Sequence, residues 1–496
     1  MGIFLGIDLG TQSVKVVALE GSGKLLSSAG HSYPINTPRT GFAEQDPEKW
    51  WEKTIQSCTE VLQSTGIRDI HGIGLSGQMH GLVMLDEKDS PVHPAIIWPD
   101  QRSFAEVDYI RSVLGEKLAY ICGSDIATGF MAASLLWVKR QLPDVFDRIH
   151  KVLLPKDYLK IKLGLDPVTD AADASGTLLF DIRKRTWSRD VLSALGFEKK
   201  LFPSVSESTH LIGCLSGRIK ESLGIHGKAE VVAGGADQTC SAVGNGIFEQ
   251  GELLITIGTG GQVVAPVAKP VVDPKLRTHT FCHAVPDTWY VLGATLCAGL
   301  SMSWFRNAVT GGEEDALSLD TLGKEAAHVE AGAGGAIFLP YLIGERTPHK
   351  NPSARGSFLN LHLTHTRGHL ARSIMEGVAM GVKDSVEIIK SLGIIPRHAL
   401  FAGGGAKSRL WKDILASVLD LPVVTSGSRE ETASGAALLS MVATGHFSSF
   451  REAAAAVVEL DPPTLPREEW VEIYADCYPL FQKAYKQVSP LFPQGE

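Results

Sequence analysis

Two aspartates and three glycine-rich turns are the places where residue type and spacing in this chain suggest chemistry. The turns are Asp8-Leu9-Gly10-Thr11, Gly258-Thr259-Gly260-Gly261 and Gly403-Gly404-Gly405-Ala406, and each follows an apolar run. Glycine admits positive φ and close approach of a ligand, and the free amides and hydroxyls of such turns can hold phosphate oxygens. Each turn taken alone is more often a plain reversal of the chain. Their placement after strands in both halves favours phosphate binding. The chain has neither a GxxxxGK[ST] loop nor a strong GxGxxG fingerprint, so a nucleotide site here is of another kind.

Asp8 ends an apolar run beside the first turn, where an unpaired buried carboxylate would cost several kcal/mol. A hydrated Mg2+ bridging to nucleotide phosphates would supply its partner, because Mg2+ keeps its waters and takes only one or two carboxylates. An aspartate capping its own turn is the alternative. Asp237 closes the run Val231-Val232-Ala233-Gly234-Gly235-Ala236 and opens a helix. Aimed into a cleft, it could take the proton of a hydroxyl that attacks a γ-phosphoryl group, which requires hydrogen-bond reach more than an unusual pKa. On the residues alone an ordinary helix N-cap fits equally well. A lone His80 reads as a satisfied core histidine, and the other histidines, His349 and His362 included, lack ligand spacing such as HExxH.

The elements that must position these groups follow from the apolar pattern. Ile3 to Asp8 and Val14 to Leu19 read as a hairpin. Asp46 and Pro47 start a helix carrying Trp50, Trp51, Ile55, Cys58, Val61 and Leu62 at helical spacing, which Gly66 stops. The two tryptophans read as helix packing. A strand from Ile70 to Leu75 then ends in Ser-Gly-Gln-Met-His-Gly. The second half repeats this grammar, since LLITIGTGGQVV (253–264) lies on LGIDLGTQSVKV (5–16) without a gap. A helix from about Leu370 to Leu392 follows, ended by Gly393 and Pro396, and a strand from His398 to Ala402 leads into Gly403. Duplication predicts two α/β domains of mixed sheets with flanking helices, divided near Phe248 to Glu252, whose turns meet across a cleft.

Composition bounds the rest. The chain has 496 residues, 44% hydrophobic and 21% charged, with a formal charge of −8, which suits a soluble globular protein and offers no basic footprint for nucleic acid or an anionic membrane. Cysteines 58, 122, 214, 240, 282, 297 and 477 are scattered, without a C-x-x-C pair, which suits a reducing cytoplasm better than a disulfide framework. The amino terminus lacks a basic n-region and meets Asp8, unlike a signal peptide. The uncharged run Thr288 to Phe305, apart from Asp287 before it, reads as a buried strand leading into a helix rather than a membrane span.

The stretches GIDLGTQSVKV (6–16), EQDPEKWW (44–51), SGQMHG (76–81), WPDQR (98–102), LLPKDYL (153–159), AGGADQ (233–238), GTGG (258–261), FLPYLIGERTPH (338–349) and GGGAKSRLW (403–411) resemble the FGGY family of carbohydrate kinases, within the actin/hexokinase/Hsp70 superfamily, and most of all its xylulose-phosphorylating members. The resemblance implies two actin-like (ribonuclease H-like) domains with the active site in the cleft between them, residues 1–248 binding sugar and 249–496 binding nucleotide. It implies ATP-dependent phosphorylation of D-xylulose at its 5-hydroxyl, with ATP and Mg2+ as cofactors and Asp237 as catalytic base. Met79, His80, Asp100, Asp237 and Gln238 would bind the sugar. Asp8, Thr11, Gly258, Thr259, Gly260, Gly299, Gly405 and Ala406 would serve the nucleotide, with Asp8 reaching Mg2+ through water and Asp237 as a second candidate ligand. It further implies a cytoplasmic enzyme without nucleic-acid or membrane partners, and leaves a homodimer open.

Two positions depart from the pattern. Gln238 and Pro99 stand where many such kinases carry Asn, which loosens the expectation about the sugar more than about the reaction, and another pentulose or a pentitol stays open. Asp100-Gln101-Arg102 argues against glycerol. The competing reading is an actin-like or Hsp70-like ATP-driven switch; the sugar-pocket stretches and the lack of a peptide-binding domain after the duplicated core speak against it.

Overall fold

The computed structural model describes residues 2–312, 317–427 and 430–493. The first sheet contains β1 (Ile3–Leu9), β2 (Ser13–Glu20), β3 (Leu25–Ser32), β4 (Gly72–Gly77), β5 (Leu211–Cys214) and β6 (Glu230–Val232) in the order β5-β6-β4-β1-β2-β3, and β7 (Gly235–Ala236) also pairs with β4. The second contains β8 (Glu252–Ile257), β9 (Gly261–Val267), β10 (His279–Cys282), β11 (Trp289–Thr295), β12 (His398–Ala402) and β13 (Val423–Val424) in the order β10-β11-β9-β8-β12-β13. In both, a central strand (β1 or β8) lies between an antiparallel hairpin partner and a parallel strand, with a third antiparallel strand outside the hairpin. Each parallel partner is delivered by a crossover helix: α1 (Pro47–Thr65) precedes β4, and the 25-residue Arg367–Ser391 helix precedes β12. The chain is therefore a duplicated, mixed α/β fold of two sheet-containing domains.

The gapless overlay of the two hairpins holds only as far as the turns. Leu9 pairs with Val14 across residues 10–13, whereas Ile257 pairs with Gly261 across 258–260. The second turn is one residue shorter, so the counterpart of Val16 opposite Ile7 is Val263 opposite Ile255, not Val264. A one-residue slip exchanges sheet faces, and an apolar run on both sides of the position hides it from the sequence.

The α1 boundaries match the sequence signals. The Asp46 carboxylate accepts from Glu48 N at 2.9 Å and Gly66 adopts φ 67°, closing the helix. Such a cap stabilises a helix by about 1 kcal/mol. Trp50 is fully buried beneath α1, its Nε1 donating to Gln45 Oε1 at 3.2 Å, which makes it a packing residue. The 288–305 run forms β11 and the start of the Gly299–Thr310 helix. All seven cysteines are free, and among the described residues no helix is long and apolar enough to cross a membrane.

The halves are laced together by the helix Glu431–Ala443, which comes late in the chain yet covers the first sheet. Its backbone lies so close that a Cβ on Gly6 or Gly74 would stand 1.8 or 1.7 Å from the carbonyl oxygens of Ala433 and Ala436. Only glycine fits there, and Gly435 makes the same kind of contact with Cys240 at the base of the Asp237 helix. The last long helix, Glu468–Val488, packs back on the second domain. There Tyr474 bonds the buried Arg372 and Glu376, and Tyr478 donates to Asp384 at 2.6 Å.

Candidate active site

Asp8 sits one residue before the end of β1, in parallel register with Ser76. Its Oδ1 is buried without a hydrogen-bond partner, and burial pushes the carboxyl up to about 6 against the opposing pull of Ser76 and Lys15. An orphaned carboxylate oxygen is the kind of group that a hydrated cation satisfies. Among the described residues no three His, Cys, Asp or Glu side chains converge into a metal cage. This donor set fits a Mg2+ held through water by one or two carboxylates and by phosphates, and does not fit an all-protein site.

Asp237 is the first residue of the helix Asp237–Gly244, and its Oδ1 accepts from Gln238 N at 2.7 Å. The N-cap reading does not hold: Ala236 occupies the cap position, and the Asp237 carboxylate accepts from the next residue instead of capping the first turn. Burial pushes its carboxyl up to about 8, and the like charges of Asp8 and Asp173 add to the effect. Its charge in turn adds to the burial that pushes up Tyr290, a side chain of β11. Asp173, itself pushed up to about 7, is tied to the fully buried Lys156 at 2.9 Å, and Lys156 also pairs with Asp157 and Asp170.

Met79 and His80 lie at the junction of the domains. Tyr290 Oη donates to Met79 Sδ at 3.8 Å. His80 is held at φ 70° with Nδ1 2.6 Å from Gly176 O. A carbonyl only accepts, so Nδ1 carries the proton and Nε2 is left as an acceptor. Burial, with help from the Arg346 charge, pushes His80 down to about 4 and keeps it neutral. Its ring packs 4.2 Å from Phe130 and 6.1 Å from Phe281, so the wall draws on both halves.

Asp100 is placed differently from what its expected sugar contact requires. It is fully buried; Oδ1 accepts from Arg102 N and Nε, and Oδ2 accepts from Ala43 N at 2.7 Å. Arg102 continues to Glu44 at 2.7 Å. Both carboxylate oxygens are thus engaged in clamping the 41–45 segment. Thr11 is also engaged: its Oγ1 accepts from Trp98 Nε1 at 2.8 Å and its carbonyl from Gln45 Nε2 at 2.7 Å.

The second domain carries a cavity of about 720 Å³, lined by Gly258, Thr259, Gly299 and Gly405 among the expected nucleotide residues. Gly299 N and Leu300 N donate to Gly258 O and Thr259 O, docking the turn on the start of its helix. A Cβ at Gly299 would stand 2.4 Å from Gly258 O, so the helix can start there only on glycine. Gly260 and Ala406 lie next to this lining without forming it; Gly260 O accepts from Gly258 N and shapes the turn. Asp8 opens instead on a recess of about 100 Å³ shared with Lys15, Glu430 and Glu431. The cavity also takes Ser303, Lys324, Met375, Lys407, Ser408 and Arg409, to which the sequence assigned no role. Lys407 and Arg409 follow the third glycine turn directly and could have been found there. Lys324 and Ser303 carry no local signal because separate helices bring them in.

A repeated α/β body with buried carboxylates on one domain and a glycine-lined cavity on the other defines a two-domain phosphotransferase of actin-like fold. Residues 3–244 match the N-terminal domain of the FGGY family of carbohydrate kinases, and residues 253–444 match its C-terminal domain. The chain is 33% identical over 486 residues to a xylulose kinase of Staphylococcus xylosus, covering 98% of this chain and 100% of that one. It is 32% identical over 490 residues to a xylulose kinase of Escherichia coli K12, covering 99% and 100%. The crystal structure of a xylulose kinase from Rhodospirillum rubrum superposes with a TM-score of 0.92 at 27% identity, covering 99% of each chain. The chain belongs to the FGGY family of carbohydrate kinases, and it is a sugar kinase.

Proposed function

We propose that this kinase transfers the γ-phosphoryl group of ATP to the 5-hydroxyl of D-xylulose, with Asp237 as the general base. The observation that carries the reading is the Asp237 carboxylate, half-buried at a helix start, its basicity raised by desolvation and by the like charges of Asp8 and Asp173. A carboxylate with a raised pKa is a better proton acceptor, provided it is ionised when the hydroxyl arrives. Met79 and the Nε2 acceptor of His80 would line the sugar, with Gln238 beside the base. Asp100 would serve by holding the 98–102 turn rather than by touching the sugar.

The turn 258–260, Gly299 and Gly405 would seat the nucleotide, with Ala406 behind them and Thr11 and Asp8 on the facing domain. Mg2+, when bound, would bridge phosphate oxygens and neutralise their charge, and Asp8 would hold it through water, with Asp237 as a second ligand. We place the working division at 1–248 for sugar and 249–496 for nucleotide, with the Glu431–Ala443 helix as a strut that returns to the first sheet. Closing the cleft would bring acceptor and donor into line and exclude water, the competing acceptor. Free cysteines and a need for ATP support a cytoplasmic setting.

The test separates chemistry from binding. Asp237→Asn should lower turnover of D-xylulose by roughly 10²–10⁴-fold, the usual worth of a general base, while calorimetric sugar binding stays within a few-fold. Near-normal turnover removes Asp237 from the role. A panel of pentuloses and polyols at equal concentration ranks the substrate, and ADP release independent of sugar would favour the ATP-driven switch instead.

A further inference from the structure

Lys156 is a fully buried cation to which the proposed reaction gives no role. Its ammonium pairs with Asp170 at 2.6 Å, Asp173 at 2.9 Å and Asp157 at 3.1 Å, and all four side chains are sealed from solvent. Asp157 is shared with Lys160 at 2.7 Å, whereas among the described residues no other cation pairs with Asp170 or Asp173. Burial disfavours the charge, yet the three carboxylates hold the Lys156 amine well above its ordinary range, so it stays an ammonium. Ion pairs at this depth are weak evidence for stability, since apolar side chains of similar volume often serve a fold as well. What this cluster holds is the floor beneath Met79 and His80.

On one side the Lys156 stem lies against the end of β4. A Cβ on Gly77 would stand 2.9 Å from Lys156 Cβ, and Gly77 pairs in parallel register with Ala236, the residue before Asp237. Gly77 also leads directly into Gln78, Met79 and His80. On the other side the ammonium ties the cap of the helix Ala171–Ser175 to its body. Asp170 is the N-cap, its Oδ1 accepting from Asp173 N at 3.0 Å, and Lys156 bridges both carboxylates. So short a helix has too few hydrogen bonds of its own to stay in place unaided. Gly176 ends it, and its carbonyl accepts from His80 Nδ1 at 2.6 Å. The approach is close: a Cβ on Gly176 would stand 2.9 Å from Met79 Cε and 3.1 Å from His80 Nδ1. Ser175 Oγ accepts from Cys282 N of β10 at 3.1 Å and joins the same helix to the second domain. One side chain thus braces both the strand that delivers Met79 and His80 and the helix that orients them.

We propose that Lys156 is a positioning residue for the sugar: by bridging Asp170 and Asp173 beneath Gly77, it holds the Gly176 carbonyl where that carbonyl orients His80, and so sets the His80 Nε2 acceptor at hydrogen-bond reach of the ketose. Without the bridge the helix Ala171–Ser175 keeps only its own cap, and the imidazole loses the partner that fixes its tilt. Misplacing a substrate-binding group by about 1 Å can cost roughly 10²-fold. This inference rests on the reading of Met79 and His80 as sugar contacts, and it deepens that reading.

The experiment is a double-mutant cycle of Lys156→Met and His80→Ala, assayed below each variant's melting temperature with the ketopentose that the wild type turns over best and with ATP. Lys156→Met keeps the bulk of the stem and removes the bridge. It should raise the ketopentose KM by about 10-fold or more and leave the KM for ATP within about 2-fold, because the bridge braces the sugar wall and not the nucleotide cavity. His80→Ala should raise the ketopentose KM likewise, and in that background Lys156→Met should add less than about 3-fold, since two changes acting through one contact are not additive. Effects that multiply in the double variant, losses shared equally by sugar and ATP, or an unchanged ketopentose KM in Lys156→Met each overturn the proposal. Should Lys156→Met melt below the assay temperature, Asp173→Asn, which keeps the shape and removes one leg of the bridge, takes its place in the cycle with an expected rise of about 3-fold, judged by the same outcomes. An unchanged ketopentose KM in His80→Ala is a different failure: it removes the sugar from this wall, and the positioning role with it.

Discussion

The two central hairpins share a scaffold and differ in charge. Asp8 and Thr256 occupy the same seat, one residue before the end of the central strand, opposite Ser76 on β4 in one sheet and Ala402 on β12 in the other. Below the seat the apolar pattern, the parallel neighbour and the crossover helix repeat. Above it the first domain opens Asp8 on a small recess shared with Lys15, Glu430 and Glu431, and the second opens its glycine turn on a large cavity that also carries Lys324, Lys407 and Arg409. A carboxylate beside a phosphate-holding turn adds like-charge repulsion unless a cation offsets it, so on the proposed reading the two turns would divide the work. The repeated framework places both turns, and the residue type at this seat differs between them.

That division can be broken at either turn. The largest effect is expected from Asp8→Asn, which removes the orphaned carboxylate; kcat should fall by roughly 10²–10³-fold with a higher Mg2+ requirement in steady-state assays, as for loss of an electrostatic group acting on phosphoryl transfer. An unchanged Mg2+ dependence would end the assignment of Asp8. The reciprocal change, Thr256→Asp, puts the carboxylate at the phosphate turn and should raise the KM for ATP by about 10-fold or more through like-charge repulsion, leaving sugar binding intact. If both domains tolerate the exchange, the comparison has no functional content.

Smaller effects sharpen the picture on the first domain. Asp237 must be ionised to act, and its carboxyl is raised from the ordinary 3.8 to about 8, so activity should climb with pH along an acid limb lying above the usual carboxylate range. Asp173→Asn removes one of the like charges behind that rise and should move the limb to lower pH in a kcat/KM profile; a limb that stays or moves up contradicts the coupling. The same raised pKa bears on stability. A carboxyl whose pKa is raised on folding favours the fold at low pH and loses that contribution as pH rises through the folded value. The loss for Asp237 therefore accumulates between about 4 and about 8. Asp237→Asn, inactive though it should be, should melt a few degrees higher than the wild type at about pH 9 and show little difference near pH 4. Calorimetry at both values checks this.

Much of this architecture was legible before any coordinates. Asp46, Pro47 and Gly66 bounded α1, Gly393 and Pro396 bounded the second crossover helix, and the doubled hairpin announced the repeat, because caps, breakers and apolar period are local properties of the chain. The register of the second hairpin was not legible, since an apolar run on both sides of the turn conceals a one-residue slip. Nor was the engagement of Asp100 with Arg102 and Ala43, which depends on a segment 57 residues away reaching that carboxylate. The tail after Asp461 could not be placed from its composition, and its tyrosines dock it on the buried charges of the long second-domain helix.

Taken by itself, the sequence determined where strands and helices begin and end, that the plan occurs twice, and which residue types stand at the turns. Tertiary structure alone decided the electrostatics: that Asp237 feels the charges of Asp8 and Asp173, and that burial keeps His80 neutral. The physical reason is range. Backbone preference is set within a few neighbouring residues, whereas the energy of a charge depends on everything folded around it, and residues 8, 173 and 237 influence one another only once the chain between them has folded.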